Sequence, residues 1–102
     1  MTFRPPHSLT IGGRRVPVLV EDLGGNHGEY DANTKTIRVD RAVLGDRELL
    51  RAVLIHEAAH CALDLAGLTS YTSGSMTMKL EEQVVSVIEN FIAPVIRRIA
   101  RI

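Results

Sequence analysis

Residues 54–63 read LIHEAAHCAL, and within this largely apolar run stand three groups that could do chemistry together: His56, Glu57 and His60. On an α-helix, residues four apart project from one face with Cβ atoms about 6 Å apart. Two imidazoles at that spacing can converge on one Zn²⁺ at Zn–N distances near 2.0–2.1 Å. Glu57 follows His56 by one position and so points about 100° round the helix. From there it is poorly placed as a ligand but well placed to meet a water on the open side of the metal, the arrangement known for H-E-x-x-H helices. Zn²⁺ lowers the pKa of a bound water to about 7. A carboxylate beside it can take that proton and later return it to a departing amine.

The plainer reading is a helix core that happens to contain these residues. With 7 Glu and 4 His in 102 residues, the pattern arises by chance in about 1 chain in 100. A carboxylate and two imidazoles left unpaired in a buried helix would also cost on the order of several kcal/mol. A cation removes that conflict, so one zinc ion is the expected cofactor.

A catalytic zinc site needs a third protein ligand and one open position. The metzincin pattern places glycine and histidine three and six residues after the second histidine; here those positions are Leu63 and Ala66. No histidine or cysteine follows Cys61, and His7 and His27 lie upstream in irregular sequence. Carboxylates remain. Asp64 sits one turn after His60 on a neighbouring face. Glu81 lies mid-stripe among Val84, Val85, Ile88, Phe91 and Ile92, the face expected to pack inward. Glu82 is about 100° round, at the edge of that stripe, and Glu89 lies nearly beneath it. Glu81 is the favoured third ligand and Glu82 the alternative; Glu89 reads as a solvated flank.

The surrounding elements must position these groups. Two short β-type runs, Leu9–Ile11 and Val16–Val20, flank Gly12 and Gly13 and predict a hairpin. Pro17 cannot donate to a ladder, so part of that strand belongs at an edge. NTKTIRVD alternates, Ile37 and Val39 against Thr36 and Arg38, and predicts a strand with one buried face. The stretch 45–68 predicts a central helix, capped by Asp46 and stopped at Gly67. After a hydroxyl-rich loop over residues 69–78 comes a second helix, which Pro94 kinks or interrupts. The fold class expected is α+β: a small, mostly antiparallel or mixed sheet packed on two main helices. Residues 1–102 form one domain, with residues 1–8 an irregular lead-in.

Charge and composition narrow the partners. The formal net charge is zero, which leaves no basic field for nucleic acid or an anionic membrane. Arg97, Arg98 and Arg101 read as the complement of a helix dipole. No apolar run reaches a membrane span and the opening residues lack a secretory h-region, so a cytoplasmic location is expected. One cysteine, Cys61, forms no internal disulfide and reads as a small core residue.

With these motifs in place, the chain resembles the compact gluzincin-like metallopeptidase domains of phage and bacteria, including the ImmA/IrrE group. The resemblance runs over roughly residues 28–95, from GEYDANTKTIRVD through LLRAVLIHEAAHCAL to EEQVVSVIENFIAP. It implies a minimal zincin-like fold, zinc held by His56, His60 and Glu81 or Glu82, Glu57 as catalytic base, and peptide-bond hydrolysis. Where the ImmA group usually carries Ala-Asn after the second glutamate, this chain has Val84-Val85. That departure removes support for a phage-repressor substrate.

The expected substrate is a peptide or protein lying extended along the TIRV strand, with Ile37 in contact, by addition to a sheet edge. Tyr71, Tyr30 and His27 are the candidates for a side chain assisting the oxyanion, with Tyr71 the substrate-binding choice and loop 69–78 a candidate lid. The competing reading is a zincin-like module that binds zinc for regulation or interaction without turnover. The small size leaves room for a partner protein or a second copy.

Overall fold

A computed structural model describes residues 1–69 and 76–102. Four strands form one sheet: β1 (Ser8–Ile11), β2 (Arg14–Glu21), β3 (Gly28–Asp31) and β4 (Thr36–Asp40), in the spatial order β1-β2-β4-β3. A 3₁₀ turn over Arg41–Gly45 leads into α1 (Arg47–Leu65). A long C-terminal rod follows, made of α2 (Met78–Val87), a π-helical turn (Ile88–Ile92) and α3 (Ala93–Ile99). The architecture is α+β, a mixed sheet with two main helical elements. Among the described residues no helix is long and apolar enough to cross a membrane.

The β1–β2 hairpin turns on Gly12 and Gly13, both at positive φ (58° and 78°), the backbone that a two-residue turn between twisted strands requires. Pro17 sits opposite Ser8 on β1, while the ladder to β4 starts one residue later, at Val18↔Ile37. Val18 N–H goes to His7 O, so Pro17's missing donor faces the side where β2 has no neighbour yet. The edge expected for this proline is therefore a local one.

β2 and β4 run parallel and the other two pairings are antiparallel, so the sheet is mixed, within the expected class. The turn-rich segment 22–27 carries the chain past β4's place to β3, and the β3–β4 hairpin then returns β4 between β3 and β2. Asp31 Oδ1 accepts from Asn33 N–H and Thr34 N–H, and Lys35 takes the left-handed conformation (φ 53°) that closes this hairpin.

This strand order corrects one expectation. β4 is an interior strand and Ile37 is fully buried, so neither is open to a docking peptide. Ile37 belongs instead to the core, with Val16, Val18, Val39, Val43, Leu50, Val53 and Cys61. Each such aliphatic side chain contributes about 1.5–3 kcal/mol when fully buried.

α1 packs on this core. Asp46 caps it by accepting from Leu49 N–H at 3.1 Å. Gly67 at φ 75° ends it, with Gly67 N–H to Asp64 O and Leu68 N–H to Leu63 O, the paired bonds of a glycine C-terminal motif. Gly28 on β3 touches α1 directly: a Cβ there would lie 2.6 Å from Val53 Cγ1 and 3.3 Å from Glu57 Cγ. Only glycine lets the strand come this close.

The C-terminal rod is interrupted as Pro94 predicted, by a π turn just upstream rather than by a sharp kink. Ala93 N–H reaches back to Ile88 O, which widens the helix where the proline ring would otherwise meet the preceding turn. The expected inward stripe holds only in part. Glu81, Val85 and Ala93 are buried, whereas Phe91 and Ile92 are exposed.

Candidate metal centre

α1 and α2 meet with His56 and His60 facing the rod. The pairing is antiparallel: the earlier histidine meets the later glutamate and the later histidine the earlier one. His56 Nδ1 lies 2.9 Å from Glu89 Oε2, and His60 Nδ1 lies 2.5 Å from Glu81 Oε2. A carboxylate on each Nδ1 favours the tautomer that leaves Nε2 available to a metal. Those two Nε2 atoms face each other at 3.3 Å. Glu82 completes the cluster, with Oε1 3.0 Å from His60 Nε2 and Oε2 3.9 Å from His56 Nε2. Among the described residues His56, His60 and Glu82 form a group whose ligand atoms all lie within 4.8 Å of one another.

Two observations favour a cation among these atoms. Ligands about 2.0–2.1 Å from a tetrahedral zinc stand about 3.3–3.4 Å apart, and the separation of the two Nε2 atoms is 3.3 Å. A cation between the two Nε2 atoms would satisfy both lone pairs at once, where a proton on one ring would satisfy only a single N–H···N bond. The charge balance points the same way: Glu57, Glu81, Glu82 and Glu89 surround two imidazoles, and Glu81 and Glu57 are only 3% and 8% exposed. The donor set, two imidazoles and a carboxylate, is the composition of a His₂Glu zinc site.

The favoured ligand, Glu81, does not join the Nε2 cluster. It contacts the far nitrogen of His60, and Glu82 is the glutamate beside the two Nε2 atoms. The structure thus brings His56, His60, Glu57, Glu81 and Glu82 together but gives the two glutamates different partners. Glu89, expected as a solvated flank, instead lies against His56. It lies in the π turn, and its spacing of seven from Glu82 was the available signal: two turns of one helix flank facing two turns of α1.

Glu57 lies beside this cluster on the side of β3. Burial pushes its carboxyl above the ordinary carboxylate range, His56 and His60 oppose that shift, and Glu82 and Glu29 add to it. A carboxylate raised in this way is a better proton acceptor than a solvated one. One cleft beside it is lined by Gly28, Glu29, Tyr30, His56, Glu57, His60 and Glu82. A neighbouring cleft of about 330 Å³ runs along Gly25, Asn26, His27 and Gly28 opposite Leu49, Ala52 and Val53.

The other sequence candidates are distributed unevenly. His27 lines the second cleft and is exposed. Tyr30 lies at the first, but its hydroxyl donates to Asp64 Oδ2 at 2.5 Å. Burial and the bond to Asp64 push that phenol far above its usual range, so it stays a neutral donor. Asp64, 1% exposed, also pairs with Lys35 Nζ at 2.6 Å. Asp64 is therefore a buried clasp between α1 and the β3–β4 hairpin rather than a member of the His56–His60–Glu82 cluster. Tyr71 and most of the candidate lid lie outside the described residues. Cys61 is fully buried in the core, and burial raises its thiol.

β3, not β4, is the sheet edge at the cleft. Asp40 N–H bonds to His27 O, which sets the alternation of the β3–β4 ladder. Gly28 and Tyr30 therefore direct their main-chain groups toward the open edge.

No protein-family model, curated protein or solved structure matches this chain.

Proposed function

We propose that this chain is a zinc-dependent metallopeptidase of the compact gluzincin-like type, with His56 Nε2, His60 Nε2 and a Glu82 carboxylate oxygen as the metal ligands. The observation that carries this reading is the pair of Nε2 atoms facing each other 3.3 Å apart, each ring held from behind by a carboxylate. Zinc bound there would supply a Lewis acid that polarises a scissile carbonyl and acidifies water. Glu57 takes a proton from the attacking water and delivers it to the nitrogen of the departing amine. Its burial beside Gly28 keeps bulk water from competing for that proton.

The substrate lies extended along β3, pairing with the main-chain groups of Gly28 and Tyr30. His27 and Asn26 are polar side chains at the strand side of this cleft, and Leu49, Ala52 and Val53 form an apolar wall suited to a medium-sized aliphatic side chain.

The test is metal analysis of protein purified without an affinity tag, followed by digestion of a broad peptide library by wild type and Glu57→Gln. The proposal requires one zinc per chain in both proteins and a loss of turnover of about 10²–10⁴-fold in the variant, the usual contribution of a general base. Stoichiometric zinc with no turnover in either protein makes the chain a non-catalytic zinc module. Absence of zinc from both rules out the site.

A further inference from the structure

A trough opens where the C-terminal rod leaves α1. α1 packs against α2 and the π turn and only sparsely against α3. Ala58, Ala59 and Ala62 floor the space on the α1 side, and Ile88, Ala93 and Ile96 wall it on the side of the rod. Alanine is too small to close the gap, so Ile96 stays 58% exposed although it faces α1 across the trough. The space is about 380 Å³, within the roughly 300–1,000 Å³ of small-molecule sites. The helix main chains that form it are bonded within themselves. A peptide backbone laid there would lose its hydrogen bonds to water with little in return, whereas a hydrocarbon chain has none to lose.

Charge identifies what occupies the trough. It runs on into a second depression that shares Ile55 and Arg97 with it and adds Arg51 and Arg101. Three guanidinium groups therefore stand at this mouth, whereas Thr10 is the polar residue lining the rest of the trough. Among the described residues Glu48 is the carboxylate paired with these arginines. Its Oε1 lies 3.0 Å from Arg51 Nη1, and its Oε2 lies 3.9 Å from Arg97 Nη1, beyond hydrogen-bond reach. Three cations against one carboxylate leave the mouth positive. The planar fork of an arginine matches a second carboxylate with two parallel bonds. An apolar trough that ends in cations is complementary to a molecule with a hydrocarbon tail and an acid head. We infer that the groove between α1 and α3 binds one fatty acid, with its tail over Ala58 and Ala62 and its carboxylate at Arg97, flanked by Arg51 and Arg101. The inference does not depend on the metal or on the peptidase reading.

Titration calorimetry of the intact protein with monomeric decanoate tests it. Wild type should bind one decanoate per chain. Decanol, the same tail without the charge, should bind about tenfold more weakly, the worth of a hydrogen bond to a charged group. Arg97→Gln should lose about tenfold for decanoate and leave decanol unchanged. Ala62→Phe, at an exposed position, should fill the trough and abolish binding of both, with an unchanged far-ultraviolet circular dichroism spectrum. Arg98→Gln, exposed and outside the groove lining, should match wild type. A wild type that does not bind decanoate overturns the inference. So does decanoate binding that Arg97→Gln or Ala62→Phe leaves unchanged. A wild type that ignores decanoate but sediments with phosphatidylglycerol vesicles also overturns it and assigns the arginines to a membrane surface.

Discussion

Replacing Glu81 by glutamine removes the charge that holds His60 while keeping the shape of the side chain. Glu81 is 3% exposed and contacts His60 Nδ1 at 2.5 Å. Glu89, its counterpart on His56, is 2.9 Å away with a side chain 28% exposed. Carboxylates behind metal-bound histidines typically change metal affinity by about 10–100-fold, or about 1.4–2.7 kcal/mol. The buried Glu81 is shielded from solvent, so Glu81→Gln should fall near the upper end. Glu89→Gln should fall near the lower end, because water can partly replace its charge. The assay is competition for zinc against a fluorescent chelator, with Glu48→Gln as a control: Glu48 is exposed and lies outside the cluster. In saturating zinc, the stabilisation conferred by the metal should shrink by the same free energy. If both variants bind zinc within about twofold of wild type, or if Glu89→Gln loses more than Glu81→Gln, the assignment of these two carboxylates is refuted.

Glu57→Gln should stabilise the metal-free protein at neutral pH. Burial raises the folded-state pKa above the unfolded one, so ionisation opposes folding as pH rises through the carboxylate range. Below that range both states are protonated and thermal midpoints of variant and wild type should coincide; a gain persisting there would contradict the burial argument. Gly28→Ala should destabilise by about 1–3 kcal/mol, because the new Cβ meets Val53 Cγ1 at 2.6 Å; chemical denaturation measures this. Lys35→Met should cost about 3 kcal/mol by stranding the Asp64 carboxylate. Asp64→Asn should cost less, since Lys35, 25% exposed, can turn to solvent. The order of the two denaturation midpoints is the check.

What the sequence reveals here is what is local. The Asp46 cap, the Gly67 stop, the Gly12-Gly13 turn and the His56/His60 pair each depend on residues within one or two turns of chain, and each is where the sequence predicts. The strand order is not local. Nothing in TIRV says that β3 will lie outside it, so Ile37 reads as a binding residue when it is a core one. The choice between Glu81 and Glu82 depends on the crossing of α1 and α2, which periodicity does not determine. Glu89 shares a flank with Glu82, seven residues earlier, and nothing local says that this flank faces α1. The stripe of the C-terminal rod shows a related limit. Period 3.6 groups Phe91, Val95 and Ile99, but grouping does not decide whether the group faces the core or turns outward.

The central claim is that two imidazoles and Glu82 share one metal ion. X-ray absorption at the zinc edge, on tag-free protein loaded with one equivalent, reads those ligands directly. The account predicts two imidazole nitrogens at about 2.0–2.1 Å with oxygen completing the shell, and a change in the oxygen shell on Glu82→Ala but not on Glu48→Ala. Fewer than two imidazoles, or a shell indifferent to Glu82, would contradict it.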